Sequence, residues 1–247
     1  MVQALHEDDY DRRVEFCELL QAVLAIEPGV VDKIIWSDEA QFKLNGMINR
    51  WNGVFWSDTN NHHTIEQELN APGLMVWLGF SSRGLVGPHF FEGKRVLFKF
   101  CVRIILCSGN VNQHTYLQML NELVWPYCQP LGTDVWFEQD GCPAHYANVV
   151  RNWLNEHFAD RWFGRRGPIE WPARSPDLSP LDFAVWAIIK NRVYSERPRD
   201  LGDLRQRIID ACDMFDLNMC QDICRSVPDR LVDCINQNGH QFEHVMN

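Results

Sequence analysis

The stretch that decides the fold is I-I-W-S-D-E-A-Q-F-K-L, residues 34–44. Apolar and polar residues alternate along it, as in a β-strand, whose successive side chains point to opposite faces. Most of its apolar residues share a face with one acid, Asp38, while Glu39 lies on the polar face that we expect to meet solvent. A carboxylate among apolar neighbours costs roughly several kcal/mol unless a cation or hydrogen-bond donors compensate it. The pattern therefore predicts a partner for Asp38, and a metal ion is the obvious candidate.

Two later segments supply further acids. W-F-E-Q-D-G, residues 136–141, predicts a buried strand that ends at Asp140, and strand ends are where open α/β sheets place their chemistry. S-P-D-L-S-P-L-D-F, residues 175–183, predicts a loop that enters a helix with Asp182 in its first turn. Each segment also fits a structural role, because Asp before Gly is typical of turns and Asp at the third helical position helps to cap a helix.

The combination of the three aspartates favours a metal site. An acidic cluster drawn from a first strand, a later strand and a helix is what a two-metal nuclease or transferase requires. Two Mg²⁺ ions about 3.5–4 Å apart stabilise the attacking and leaving oxygens of an in-line phosphoryl transfer. Hard cations of this kind prefer oxygen ligands, so carboxylates are the expected side chains.

Four runs of sequence, taken together, resemble the mariner-type DDE/D transposases, which are DDE superfamily endonucleases. The runs are I-I-W-S-D-E-A-Q-F, M-V-W-L-G-F-S-S-R-G, F-E-Q-D-G-C-P-A-H-Y-A and I-E-W-P-A-R-S-P-D-L-S-P-L-D-F-A-V-W. The resemblance implies an α/β, ribonuclease-H-like fold with a mixed sheet flanked by helices and a helical C-terminal tail. It also implies that Asp38, Asp140 and Asp182 are the catalytic, metal-binding residues, with 41 residues between the last two.

The activity that this resemblance implies is cut-and-paste DNA transposition. A phosphodiester at the element's end is hydrolysed, and the freed 3′-hydroxyl then attacks target DNA. The implied cofactor is Mg²⁺ or Mn²⁺, as two ions, which can serve both displacements at phosphorus. The implied partners are transposon ends and target DNA. A homodimer on DNA is compatible with the resemblance, and no membrane is expected. The implied location is the nucleus.

Four further residues are candidates for contact with nucleic acid. His145 either orients a metal ligand or contacts phosphate, or it is a local hydrogen-bonding residue at the start of a helix. Arg165 and Arg166 lie in R-W-F-G-R-R-G, residues 161–167, which is either a DNA-backbone contact or a solvated loop. Arg174 lies nearer to the predicted metals. A formal net charge of −10 argues against a strong nonspecific grip on DNA by this chain.

The chain divides into three parts. Residues 1–31 are expected to form a helical linker remnant, residues 32–195 the catalytic domain and residues 196–247 a helical extension. Family members carry helix-turn-helix units before the catalytic domain, and none fits here, so we expect a truncated transposase without its specific DNA-binding domain. The sixteen residues 94–109 interrupt the family pattern, either as a β-hairpin insertion or as an intron translated in frame, which is the hypothesis that we prefer.

Periodicity and turn residues predict the individual elements. Strands are expected at 33–44, 51–56, 73–81, 85–91 and 134–139 and near 168–171. Helices are expected at 12–26, 113–125 and 146–159, from Asp182 to about 194, and at 200–215, 217–226 and 229–237. Two other functions stay open: an inactive or domesticated domain that binds nucleic acid or protein, and a generic ribonuclease-H-like nuclease.

Overall fold

A five-stranded mixed sheet forms the centre of the structure, a computed structural model that describes residues 4–46, 71–91 and 111–243. Its strands lie in the order β3-β2-β1-β4-β5. β1 pairs antiparallel with β2, which pairs antiparallel with β3, whereas β1–β4 and β4–β5 are parallel. The strands are β1 (Ile34–Lys43), β2 (Gly73–Ser81), β3 (Gly84–Phe91), β4 (Trp136–Glu138) and β5 (Trp162–Phe163).

Helices cover both faces of this sheet. They are α1 (Glu7–Ile26), α2 (Gln113–Met119), α3 (Trp125–Cys128), α4 (Asn148–Phe158), α5 (Trp186–Val193), α6 (Leu201–Cys212), α7 (Leu217–Arg225) and α8 (Val227–Asn236). Two π-helical turns, Leu120–Val124 and Leu181–Val185, precede α3 and α5. The buried residues form two clusters. The larger cluster lies under α1 and α5 to α8, and the smaller cluster lies under α2 to α4.

The first half of β1 contradicts the expectation that one face of this strand meets solvent, whereas Gln41, further along the same face, is exposed as expected. Ser37, on the face predicted to be wet, is 4% exposed, and Ile35 on the same face belongs to the core under α2 to α4. Glu39 follows them on this face and is only partly exposed. The polar side chains misled the prediction because a strand inside a sheet with parallel pairs is covered by helices on both faces.

The predicted order of elements is otherwise confirmed, with one strand misplaced. The strand expected near 168–171 is wrong, because the edge strand is Trp162–Phe163 and the later segment adds only a single bridge at Ile169. The three C-terminal helices match the predicted tail. The strand expected at 51–56 and the segment 94–109 lie outside the described residues. Among the described helices, none is both long and apolar enough to cross a bilayer.

The first helix is part of the core of the domain. Phe16, Cys17 and Leu20 of α1 are buried in the larger core cluster, and α1 packs against α8. Arg13 on the same helix has no exposed surface. α1 therefore joins the two ends of the described chain and lies behind the loop that enters α5.

Candidate active site

The register of the sheet brings Asp38 and Asp140 to one place. Ile34 pairs with Trp136 and Ile35 with Phe137 in the parallel β1–β4 ladder, and the same offset sets Asp38 beside Asp140. Adjacent strands are about 4.8 Å apart, and residues in matched register share a face. Ser37 extends the pairing, since its hydroxyl donates to the carbonyl of Glu138 at 2.7 Å and its backbone N–H donates to Glu138 Oε2 at 3.2 Å.

Asp182 reaches the same place from a helix. It lies in the first turn of the π-helical segment Leu181–Val185, as predicted from the sequence. Four residues later, the Trp186 indole donates from Nε1 to Asp38 Oδ2 at 2.6 Å. Residues four apart share one helix face, so this contact turns Asp182 towards Asp38 in the middle of β1 and towards the carboxyl end of β4.

The three predicted aspartates line one cleft of about 240 Å³. Two further acids line it, Glu39 and the almost fully buried Glu138. The remaining walls come from β1 and from the segment that leads into α5, namely Ser37, Trp171, Arg174, Ser175, Pro176 and Ser179. Asp38, Asp140 and Asp182, which are far apart in sequence, therefore face the same small volume.

Negative charge in this cleft is poorly compensated. Burial, and then the charges of Asp182 and Glu39, raise the pKa of Asp38 well above its ordinary value. Burial and the charge of Asp140 raise the pKa of Asp182 to about 6. Lys190, two helical turns after Asp182, is the cation near both carboxylates, and burial lowers its own pKa. The cleft favours a positive charge that the nearby side chains only partly supply.

His145 is a buried partner of Asp140. Its Nδ1 lies 2.5 Å from Asp140 Oδ1, its Nε2 lies 3.3 Å from Glu39 Oε1, and its ring stacks on Tyr116 with centroids 4.0 Å apart. Burial opposes the protonated imidazole, but Glu39 and Asp140 outweigh it and hold the pKa of His145 well above its usual range. Burial favours the neutral form of Asp140, but the hydrogen bond and charge of His145, together with the Cys142 N–H, outweigh burial and lower the pKa of Asp140. This arrangement favours orientation of a ligand over contact with DNA phosphate.

The three candidate arginines have different surroundings. Arg174 lines the cleft with a left-handed backbone (φ 57°), and its guanidinium donates to both carboxylate oxygens of Asp9, at 2.5 and 2.6 Å. Arg165 and Arg166 are exposed, with their guanidinium carbons 4.3 and 5.8 Å from the centroid of the Tyr146 ring. The Arg165 side chain also lies beside Gly141, the residue after Asp140. The arginine pair is therefore free to meet a ligand next to the cleft.

The donor set fits a hard divalent cation, although the carboxylates are not gathered around one point. Five acids line the cleft, and oxygen ligands suit Mg²⁺ and Mn²⁺. Within the described residues, one group of three possible metal ligands has donor atoms that all lie within 4.8 Å of one another. This group is Asp140, Cys142 and His145. The carboxylate oxygens of the three aspartates are not all within that distance of one another. Asp140 lines the cleft, but its Oδ1 is occupied, because it accepts from His145 and from the Cys142 N–H at 2.9 Å. Chelation by the three aspartates remains a prediction.

Several residues of the site were missed from sequence. Trp186 and Lys190 lie four and eight residues after Asp182, so their helical spacing was a usable signal. Glu138 lies two residues before Asp140 and thus on the same strand face, which was equally readable. No local pattern pointed to Asp9, whose partner lies 165 residues away.

Comparison with known proteins was made by sequence and by structure. No protein-family model matches the chain. It is 26% identical over 217 residues to the Tc3 transposase of Caenorhabditis elegans, a match that covers 86% of this chain and 58% of that protein. It is 24% identical over 218 residues to the Tcb1 transposase of Caenorhabditis briggsae, covering 85% and 70%.

Solved structures of the Mos1 transposase share the fold. Its paired-end complex with the left transposon end superimposes with a TM-score of 0.77 at 20% identity, covering 98% of this chain and 66% of that one. The Mos1 catalytic domain alone gives a TM-score of 0.70 at 20% identity, covering 98% of this chain and all of that one. In sequence and in fold, the chain is similar to transposases of the mariner/Tc1 type.

These similarities support the family predicted from the four sequence runs, and the Mos1 catalytic domain confirms the predicted α/β, ribonuclease-H-like fold. The relatives support a transposase catalytic domain and give no support to the alternative of a domesticated binding domain. The chain spans a little over half the length of the Tc3 transposase. The activity, DNA partners and metal use of this chain are therefore matters for proposal.

Proposed function

We propose that this chain is a transposase domain that hydrolyses a phosphodiester at a transposon end, and that the freed 3′-hydroxyl then attacks a target phosphodiester, joins to its phosphorus and displaces the target's own 3′-oxygen. The observation that carries the proposal is the convergence of Asp38, Asp140 and Asp182 on one cleft from a strand, a strand end and a helix. Both reactions are in-line displacements at phosphorus, so one acidic cleft serves both.

The proposed cofactor is a pair of Mg²⁺ or Mn²⁺ ions. Mos1 catalytic-domain structures with Mn and with Mg support divalent metal use in this fold. When bound, such ions stabilise the charges on the attacking and leaving oxygens. Asp38, Asp140 and Asp182 would hold them. Trp186 fixes the orientation of Asp38, and the Asp140 side chain, 47% exposed, has room to turn from His145 into the cleft.

The proposed partners are transposon ends and target DNA, engaged by a homodimer in the nucleus. Mos1 structures with a transposon end and of a strand transfer complex support the DNA partners. In this chain Arg165 and Arg166 offer two exposed cations beside the Asp140 turn, suited to a phosphate backbone. Because the chain as a whole carries a net charge of −10, this local pair would matter more than the bulk charge.

A nicking assay tests the proposed chemistry. Supercoiled plasmid is incubated with the purified chain and Mg²⁺ or Mn²⁺, and nicked and linear products are measured against a reaction with chelator. We expect Asp140→Ala to lower the rate roughly 10³-fold or more, because several kcal/mol of transition-state stabilisation depend on the ions. Asp222→Asn, at an α7 aspartate whose side chain is 74% exposed, is the matched control and should nick like the wild type.

Binding of Mn²⁺, followed by calorimetry, provides a readout independent of turnover. The wild type and Asp222→Asn should bind alike, and Asp140→Ala should bind at least tenfold more weakly. Equal nicking by the wild type and Asp140→Ala would remove the catalytic proposal.

A further inference from the structure

The turn after β4 carries a ligand set of a different chemical kind from the aspartates of the cleft. The donor atoms of Asp140, Cys142 and His145 lie within 4.8 Å of one another, and they are an oxygen, a sulfur and a nitrogen. Mg²⁺ does not favour thiolate or imidazole, whereas Zn²⁺ and Co²⁺ do. The set therefore differs in selectivity from the carboxylates with which it shares Asp140.

His145 is oriented as metal-binding histidines are. A ligating imidazole usually directs its second nitrogen at a carboxylate, which fixes the ring and its tautomer. Here Nδ1 faces Asp140, and Nε2 lies 3.3 Å from Glu39 Oε1 on the opposite side of the ring. Nε2 and that Glu39 oxygen are both buried, and within the described part of the chain neither has a partner with hydrogen-bond geometry, so a small rotation of the ring would satisfy both. The stacked Tyr116 ring holds the imidazole between the two acids.

The other two ligands are free to adjust. The Asp140 side chain is 47% exposed and Cys142 is partly exposed, whereas the other six cysteines among the described residues are all buried. Two ligand atoms bound to zinc at about 2.0 Å lie roughly 3.3 Å apart in a tetrahedral arrangement. The 2.5 Å contact between Asp140 and His145 would therefore open by less than about 1 Å, with a fourth position left to solvent.

We propose that Asp140, Cys142 and His145 bind a thiophilic divalent cation of the Zn²⁺ class, and that this cation blocks the proposed reaction by capturing Asp140. On binding, the cation takes the place of the proton between Asp140 and His145, and the Cys142 thiol also loses its proton; both protons pass to solvent. The inhibitory half rests on the proposed function, whereas the binding half does not.

Cobalt spectroscopy tests the binding half. The whole chain, with Cys101→Ser and Cys107→Ser to remove the thiols outside the described residues, is titrated with Co²⁺ under a phosphine reductant. We expect one equivalent to produce a thiolate-to-cobalt charge-transfer band that Zn²⁺ displaces. Adding Cys142→Ser should abolish the band, and Glu39→Gln should weaken binding about 10–100-fold through the orientation of His145. Absence of the band, or its persistence after Cys142→Ser, would overturn the proposal.

The nicking assay tests the inhibitory half. With saturating Mg²⁺, Zn²⁺ should inhibit the parent protein, and Cys142→Ser should need at least tenfold more Zn²⁺ for the same inhibition while keeping its zinc-free rate. Identical inhibition of the two proteins would reject the inhibitory role. If the parent does not nick DNA at all, the proposed function fails, and the cobalt titration still decides whether the site binds metal.

Discussion

The two sides of the cleft are held in place by different kinds of interaction. On the sheet side, Asp38 and Asp140 are set by the β1–β4 ladder and by Ser37, which bonds to Glu138 through both its N–H and its hydroxyl. On the loop side, the segment 174–182 is held from behind by α1. Asp9 binds the guanidinium of Arg174, and the fully buried Arg13 donates to both oxygens of Asp177, at 2.7 and 2.5 Å.

The sheet side of the cleft is held by contacts distributed along the strands, whereas the loop side is held by contacts concentrated on a few side chains. The sheet side rests on many backbone hydrogen bonds, each contributing about 1 kcal/mol, so loss of one leaves the others in place. The loop side depends on a few charged side chains, and most of these contacts converge on the Arg13 guanidinium, which also donates to Ser175 Oγ and to the carbonyl of Gly239, both at 2.8 Å. Removal of Arg13 would leave Asp177 as an unpaired charge in the core. The loop side should therefore be the more easily broken.

The largest expected effect is that of Arg13→Met. It should lower the free energy of unfolding by about 3–5 kcal/mol, because the buried Asp177 carboxylate loses its cation. Urea denaturation measures the change, and Arg12→Met, at an exposed neighbour on α1, is the matched control with a change near zero. Adding Asp177→Asn should recover part of the loss. A change below about 1 kcal/mol in Arg13→Met would show that the loop side does not depend on this pair.

The same difference between the two sides explains which parts of the cleft could be predicted from the sequence. A period of two predicts that Asp38 lies on a strand, and the end of a buried run predicts that Asp140 follows one; the structure has both residues at these positions. Asp182 was placed by its motif together with helical spacing. The ion pairs of Asp9 and Arg13 join residues more than 160 positions apart, and local periodicity carries no information on such contacts. Glu39 was misjudged for a related reason, because burial of a polar strand face depends on helices elsewhere in the chain.

Asp38 on the sheet side and Asp182 on the loop side repel each other when both are ionised. In metal-free buffer at pH 8, Asp38→Asn should raise the free energy of unfolding by about 1–3 kcal/mol, because burial and the charge of Asp182 disfavour the Asp38 carboxylate. The pKa of Asp38 is raised in the folded state, so the folded protein binds the extra proton. The penalty is therefore present above the folded pKa and disappears as the pH falls towards the unfolded value near 4.

Thermal unfolding from pH 8 to pH 5 measures this effect. The advantage of Asp38→Asn should shrink as the pH falls, and Asp182→Asn should show a smaller advantage that fades below a pH of about 6, the pKa of Asp182. Mn²⁺ should stabilise the wild type more than either variant, because it supplies the missing positive charge. A wild type more stable than Asp38→Asn at pH 8 without metal would show that the two sides do not repel each other.

The smallest expected effect is that of Ser37→Ala on the sheet side. The hydroxyl donates to the carbonyl of Glu138, whereas the backbone N–H of residue 37 still reaches Glu138 Oε2 and the β1–β4 ladder is unchanged. Loss of one neutral hydrogen bond should cost about 0.5–1.5 kcal/mol, well under the cost of Arg13→Met. Urea denaturation of Ser37→Ala beside Ser195→Ala, an exposed serine whose hydroxyl also donates to a backbone carbonyl, separates burial from the bond itself. If Ser37→Ala cost as much as Arg13→Met, the sheet side would rest on a single contact as the loop side does, and the distinction between distributed and concentrated attachment would be wrong.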